Sequence, residues 1–162
     1  MIKYSADDIF EMAVRSERNV AAYYRKAAQL HSDQSETEFL VKLAEMEDEH
    51  ERTFRSLRGE LTARERMPTA LDPYDQNSLY LSAMADKHIA EGSPTLADKL
   101  TGRETMVEIL TAARDLEKES ILFYVGMKNM VPEDFGKQRI EQIIEEEKGH
   151  YVTLTKELSN LK

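Results

Sequence analysis

The stretch Glu145–Leu154, EEEKGHYVTL, decides how this sequence folds. It lies in a segment of helical periodicity, because apolar residues recur every three or four positions on either side of it. The inward stripe of that helix reads Ile140, Ile143, Glu147, His150, Leu154, Leu158 and Leu161. A Glu and a His therefore occupy the middle of an apolar face, where an unpaired carboxylate would cost on the order of several kcal/mol to bury. Such a pair requires a partner in the interior.

The same pattern occurs 100 residues earlier, and the two copies align without a gap. The matching pairs include Ala13 with Ala113, Glu17 with Glu117, Tyr24 with Tyr124, Glu45 with Glu145, Glu47 with Glu147, His50 with His150, and Thr53 with Thr153. The matches concentrate on the inward stripe, whereas the exposed positions differ freely. The chain is therefore interpreted as two copies of one helical hairpin.

Four long helices are predicted from apolar periodicity and from capping patterns such as Ser5 with Asp8 and Ser35 with Glu38. They run from Ser5 to His31, from Ser35 to Ala63, from Thr101 or Thr105 to Met130, and from Glu133 or Phe135 to Leu161. The loops SDQS and VPED are short, so each pair of helices should form an antiparallel hairpin.

A long connection separates the hairpins and contains SLYLSAMADKHIAEG, which is predicted to be a shorter helix. Two helical hairpins joined by one long crossover are the ferritin-like arrangement. The predicted fold is therefore an all-α, ferritin-like four-helix bundle in a single domain, 1–162. Hairpin 1 spans about 5–63, the crossover about 64–100 and hairpin 2 about 101–161.

Each long helix carries one Glu inside its apolar stripe, and two of the helices add a His three residues later. A Glu-x-x-His pair places both side chains on one face, one turn apart. Four carboxylates and two imidazoles are the ligand set of a di-iron or di-manganese centre in a bundle. The predicted ligands are Glu17, Glu47, His50, Glu117, Glu147 and His150.

The charge and type of these ligands indicate which metals they suit. Four carboxylates would neutralise two divalent ions, and oxygen and nitrogen donors favour iron or manganese. Two iron ions are expected, with manganese or zinc as possible substitutes, and no binding residues for an organic cofactor are predicted. The alternative reading is a helical bundle with buried ion pairs.

Tyr24 and Tyr124 lie two helical turns after Glu17 and Glu117, on the same faces. Their hydroxyl groups could donate hydrogen bonds to metal-binding carboxylates and could take part in the chemistry. The alternative is a pair of core aromatic residues whose hydroxyl groups are satisfied elsewhere.

The composition excludes several functions. The chain has no Cys, so disulfides, thiolate metal sites and Cys nucleophiles are excluded. Its net charge of -9 opposes binding to nucleic acid. No apolar run has the length of a membrane span, and the start MIKYSADDIF lacks the regions of a signal peptide. A cytoplasmic protein without a membrane or nucleic-acid partner is expected.

The helices also resemble the rubrerythrin-like branch of the ferritin-like superfamily. The segments that carry the resemblance are RSERNVAAYYRKAA, FLVKLAEMEDEHERTF, DLEKESILFYVGMK and IEQIIEEEKGHYVTL. The resemblance implies a non-haem di-iron centre, peroxide or dioxygen as the oxidant, and a homodimer. The resemblance implies that Glu17 and Glu117 are terminal ligands and that Glu47 and Glu147 bridge the two metals. It also implies that His50 and His150 each bind one metal.

Two features depart from rubrerythrins. Rubrerythrins carry a rubredoxin domain with iron held by four Cys, whereas this chain has none, so its electron donor would be a separate protein. Rubrerythrins also place an extra carboxylate one turn after the third-helix Glu. Here that position is Ser120, and its counterpart in the first copy is Val20.

The expected function is that of a di-iron oxidoreductase that reduces hydrogen peroxide or dioxygen with an external donor. One alternative is an iron-binding or ferroxidase protein without a reductive cycle. Another is a non-catalytic bundle stabilised by a metal such as zinc.

Overall fold

Helices make up the regular structure of the described residues, which are 5–67, 76, 79–81, 83–84, 94–131 and 136–161 of the computed structural model. The elements are α1 (Ala6–Leu30), α2 (Gln34–Glu60), α3 (Leu96–Lys99), α4 (Met106–Lys128) and α5 (Lys137–Asn160). The described residues of the predicted crossover helix, 79–81 and 83–84, are also helical, and the rest of that segment lies outside the described residues. The four long helices confirm the predicted all-α bundle.

Capping side chains set the helix starts. Ser5 caps α1, because its hydroxyl accepts from the Asp8 amide while Asp8 accepts from the Ser5 amide at 2.8 Å. Thr105 caps α4 in the same way, so the later of the two predicted starts is correct. The predicted cap at Ser35 was wrong, because Asp33 accepts from the Glu36 amide at 2.9 Å and α2 begins at Gln34. The helix α3 was not predicted.

Ion pairs between neighbouring helices show how each hairpin is arranged. Arg58 near the end of α2 binds Asp7 near the start of α1, with their closest side-chain atoms 2.8 Å apart. Lys128 at the end of α4 binds Glu141 near the start of α5. The two helices of each hairpin therefore run antiparallel, as the short loops predicted.

Two apolar clusters fill the bundle, one toward each end. The first includes Phe10, Phe54 and Ile140, and the second includes Leu40 and Leu154, all of which are fully buried. The polar stripe residues of the long helices lie between these clusters in the sequence of every helix. Packing of both clusters therefore holds the four helices in register at the level of the polar residues. None of the described helices is long and apolar enough to cross a membrane.

Candidate metal centre

The six predicted ligands converge in the interior of the bundle. Each of the four long helices contributes one Glu, and α2 and α5 each add a His. All six side chains are buried, with 4 % or less of any residue exposed: Glu17, Glu47, His50, Glu117, Glu147 and His150. Burying four carboxylates together requires compensating positive charge, because ionised groups are strongly disfavoured in a dry interior.

The side chains form two overlapping groups. One contains Glu17, Glu47, His50 and Glu147, and the other contains Glu117 and His150 together with the same two shared carboxylates. The donor atoms within each group lie within 4.8 Å of one another. Two ligands on opposite sides of an ion, each bonded at about 2.1 Å, are about 4.2 Å apart. Each group is therefore close to the size that one metal ion requires.

The shared carboxylates divide their oxygen atoms between the two groups. Glu47 Oε2 lies 3.1 Å from His50 Nδ1, and Glu47 Oε1 lies 3.0 Å from His150 Nδ1. Glu147 likewise places Oε1 3.0 Å from His50 Nδ1 and Oε2 3.0 Å from His150 Nδ1. One oxygen toward each half is the geometry of a carboxylate that bridges two ions.

The remaining carboxylates each serve one half. Glu17 Oε2 lies 3.5 Å from His50 Nδ1, and Glu117 Oε1 lies 3.8 Å from His150 Nδ1. The rings of His50 and His150 stack with their centroids 5.6 Å apart. The arrangement follows the sequence repeat, so each half contains one unshared Glu and one His.

Several buried donor and acceptor atoms have no hydrogen-bond partner among the described residues. Those at the centre are Glu17 Oε2, Glu47 Oε1, Glu117 Oε2, both carboxylate oxygens of Glu147, and both ring nitrogens of His150. An unsatisfied buried polar atom costs about 1–3 kcal/mol, and more when it is charged. Because most of these atoms face one small volume, they fit coordination of metal ions better than pairing with each other.

The two tyrosines link the hairpins at the centre. Tyr24 of α1 donates its hydroxyl hydrogen to Glu117 of α4, and Tyr124 of α4 donates to Glu17 of α1. Both tyrosines are fully buried. Each unshared carboxylate is thus held by a hydroxyl from the opposite hairpin.

Burial and mutual repulsion shift the titration of the carboxylates in the metal-free protein. Burial, followed by the charge of Glu147, raises the pKa of Glu17 well above 4.5. Burial, followed by the charges of Glu47 and Glu147, does the same to the pKa of Glu117. Burial also acts to raise the pKa of Glu47, but close contacts with the two histidines, His150 first and then His50, outweigh it and lower that pKa to about 2.

The pKa values of the two histidines are raised, whereas burial alone would lower them. Burial disfavours the imidazolium of His150, yet contacts with Glu117, Glu147 and Glu47 raise its pKa to about 12. Burial likewise disfavours the imidazolium of His50, yet contacts with Glu147, Glu17 and Glu47 raise its pKa. Without metal, protons on the imidazoles therefore supply positive charge that the carboxylates need.

Glu146 was missed in the sequence analysis, because its helical position points away from the inward stripe. Its side chain is 57 % exposed, yet Glu146 Oε2 lies 2.9 Å from His50 Nε2. The signal that could have found it is the need of a metal-binding His for an acceptor on its outer nitrogen.

A small cavity lies between α1, α3 and α4. Its volume is about 50 Å³, and its lining includes Ser16, Val20 and Ser120. Val20 and Ser120 are buried and lie three residues after Glu17 and Glu117, on the same helix faces. The cavity therefore reaches the level one turn from the two unshared carboxylates.

Comparison with known proteins gives one informative likeness. No protein-family model and no curated protein matches the chain. A crystal structure from Thermotoga maritima, of a protein named as a candidate ferritin-like diiron-carboxylate protein, matches with a TM-score of 0.76 and 21 % identity. The match covers 100 % of this chain and 99 % of that one. The chain has the ferritin-like helical-bundle fold.

Proposed function

We propose that this chain is a non-haem di-iron oxidoreductase that reduces hydrogen peroxide or dioxygen with electrons from a separate donor. The observation that carries the proposal is the pair of overlapping donor groups, each with a His and an unshared Glu, that share Glu47 and Glu147. The likeness to a protein named for a diiron-carboxylate centre supports it. The finer assignment, to a rubrerythrin-like protein without a rubredoxin domain, rests on the sequence resemblance.

The donor set favours iron over zinc. A structural zinc ion takes four ligands in a tetrahedron, usually from Cys and His. Here two ions would share four carboxylates and two imidazoles, and carboxylate-rich sites with open positions suit iron and manganese. Two bound iron ions would supply the two electrons that reduction of a peroxide bond requires.

The residues have distinct roles in this proposal. Glu47 and Glu147 would hold both ions, because each directs one oxygen to either half. Glu17 and Glu117 would each hold one ion, and their tyrosine partners fix the carboxylates by hydrogen bonds across the hairpins. His50 and His150 would bind through Nδ1, the ring nitrogen that faces the carboxylates in both halves.

The reaction consumes protons as well as electrons. Hydrogen peroxide, two electrons and two protons give two water molecules. Tyr24 and Tyr124 are the buried hydroxyl groups nearest the unshared carboxylates among the described residues, so they are the proposed proton relay. Burial, followed by the charge of Glu117, raises the pKa of Tyr24 well above 10, so its hydroxyl keeps its proton until a stronger base forms beside it.

The cavity between α1, α3 and α4 supports a small oxidant. A water molecule needs about 10–15 Å³ of such volume. A cavity of about 50 Å³ therefore has room for a molecule as small as peroxide or dioxygen. Ser120 of α4 contributes a hydroxyl group to the cavity wall, whereas Val20 at the equivalent position of α1 contributes only methyl groups.

The electron donor and the assembly complete the proposal. No Cys is present in the sequence to hold a second iron centre of the rubredoxin type, so electrons would come from another protein. A cytoplasmic homodimer is the proposed working form, and light scattering of the purified protein would test the dimer.

The test is the reaction of the reduced, iron-loaded protein under anaerobic conditions. Stopped-flow absorbance after mixing with hydrogen peroxide should show rapid oxidation, with dioxygen as the parallel arm. Glu47→Ala should abolish it, whereas Glu49→Ala, an exposed carboxylate on the same helix, should not. A reduced protein that binds two iron ions but reacts with neither oxidant would refute the oxidoreductase. Oxidation of added Fe(II) by dioxygen without return to the reduced state by any donor would favour a ferroxidase instead.

A further inference from the structure

We propose that Glu146 makes the two halves of the centre unequal. It acts as a positioning residue for His50, so the half with Glu17 and His50 binds a metal ion more tightly than the half with Glu117 and His150. The inference rests on the proposed function only in requiring that the centre bind two metal ions.

The contact between Glu146 and His50 fixes the state of the imidazole. Glu146 Oε2 lies 2.9 Å from His50 Nε2, and an ionised carboxylate can only accept a hydrogen bond. His50 therefore carries a hydrogen on Nε2, and it is Nδ1 that gives up its proton and offers a lone pair when a metal ion binds. Nδ1 faces the oxygens of Glu147, Glu47 and Glu17 at 3.0, 3.1 and 3.5 Å. The ring is thus held in the tautomer and orientation that a metal ligand needs.

The other half lacks this support. The repeat places Met46 at the position equivalent to Glu146, and a thioether is only a weak acceptor. His150 Nε2 is buried and has no hydrogen-bond partner among the described residues. The outer nitrogen of His150 is therefore not held by a carboxylate, in contrast to that of His50.

Among the groups that contact the predicted ligands, the difference between Glu146 and Met46 separates the two halves. The ligands themselves repeat between the halves, and so do the crossed tyrosine contacts. A carboxylate on the outer nitrogen of a ligating His raises the basicity of the imidazole, and its loss typically weakens metal binding by about 10- to 100-fold. The half that contains His50 should therefore fill first.

The experiment isolates each half and measures its affinity for Co(II), a metal with visible absorption, by anaerobic titration at fixed pH. His150→Ala leaves the half that depends on His50, and His50→Ala leaves the other half. Adding Glu146→Met, which copies the residue of the other repeat, should weaken Co(II) binding about 10- to 100-fold in the His150→Ala protein. It should change binding less than threefold in the His50→Ala protein.

Two further variants sharpen the result. Glu145→Met removes the same charge from the neighbouring exposed position, which contacts Lys148 rather than a site residue, and should leave both affinities unchanged. Met46→Glu, tested in the His50→Ala protein, should tighten binding by offering His150 a carboxylate. Thermal melting of the metal-free variants establishes that each is folded.

The outcomes separate this inference from the proposed function. Equal weakening in both backgrounds, or equal effects of Glu146→Met and Glu145→Met, would overturn the positioning role. Equal affinities of the two isolated halves would overturn the inequality while leaving a two-metal centre intact. Failure of the unmodified protein to bind Co(II), Fe(II) or Zn(II) would overturn the metal centre itself.

Discussion

Replacing Tyr124 by Phe removes one hydroxyl hydrogen bond to Glu17 and leaves the ring in place. The ring packs against Phe54 with centroids 4.9 Å apart, and that contact survives the change. A hydrogen bond to a charged group contributes about 1.5–3 kcal/mol, whereas a neutral one contributes about 0.5–1.5 kcal/mol. Metal binding requires Glu17 to be ionised, whereas burial favours its protonated form in the metal-free protein.

The cost of Tyr124→Phe should therefore depend on metal. We expect a loss of about 1 kcal/mol in the free energy of unfolding without metal and about 2 kcal/mol with Zn(II) bound. The difference of about 1 kcal/mol corresponds to about fivefold weaker Zn(II) binding, because both quantities belong to one thermodynamic cycle. In melting temperature, 1 kcal/mol amounts to about 2–4 °C for a chain of this size.

Tyr23→Phe is the matched control. Tyr23 is buried on the same helix and donates to the backbone oxygen of Ile109 at 3.0 Å, away from the ligand carboxylates. Loss of this hydrogen bond should lower the free energy of unfolding by the same amount with and without metal. Urea unfolding at pH 6 of the unmodified protein, Tyr124→Phe and Tyr23→Phe, each with and without Zn(II), measures the free energies of unfolding. Direct Zn(II) titration measures the binding affinities. An equal cost of Tyr124→Phe in the two forms, or a metal-dependent cost of Tyr23→Phe, would contradict the proposed contact with a ligand carboxylate.

Three further predictions concern the centre as a whole. Glu47→Ala should lower bound metal to one ion or none per chain by elemental analysis, whereas Glu49→Ala should keep two. Loading two metal ions at pH 7 should release about two protons or more, because raised pKa values keep both site imidazoles protonated in the metal-free protein. Calorimetry in buffers of different ionisation enthalpy counts the released protons, and no release would contradict the assignment of the two histidines as metal ligands. The melting temperature of the metal-free protein should fall from pH 5 to pH 8, because Glu17 and Glu117 have pKa values raised above 4.5 in the folded state and hold protons that the unfolded chain has released. Deprotonation of the imidazoles adds to this fall above pH 6.5. The difference in melting temperature between the metal-loaded and metal-free proteins should therefore widen as pH rises, and a constant difference would argue against a buried cluster of carboxylates.

The direction of each pKa shift determines the pH range over which the group affects stability. A group whose folded pKa is raised contributes stability that is complete below its unfolded value and is lost as pH rises. The pKa of Glu47 is instead lowered to about 2, so its contribution is complete above about pH 4.5 and is lost only in more acidic solution. Between pH 5 and 8 the raised groups therefore control the trend.

Periodicity in the sequence was enough to predict the four long helices and the convergence of the polar stripe. Residues such as Glu147 and His150 stand out because a charged or titratable side chain interrupts an apolar face, and the second copy repeats the interruption. The cap of α2 was predicted at Ser35 instead of Asp33 because Ser35 and Glu38 have the spacing of a capping box, and Asp33, two positions earlier, suits the same role.

The contact of Glu146 was beyond the reach of periodicity for a different reason. Helical spacing describes the direction in which a side chain leaves its own helix, whereas this carboxylate bends toward a His on another one. The crossed pairing of Tyr24 with Glu117 likewise depends on how the hairpins are set against each other. The single-turn helix α3 is too short to show any period.

The pairing of two hairpins with the same ligand pattern within one chain also affects how the centre can change under mutation. If the two halves were separate copies of one gene product, every substitution would appear on both sides at once, and the halves would stay equivalent. In a single chain each side has its own codons. Glu146 can therefore stand opposite Met46, and Ser120 opposite Val20. Selection can tune one metal position while the other is held fixed, which a symmetric dimer of hairpins does not allow.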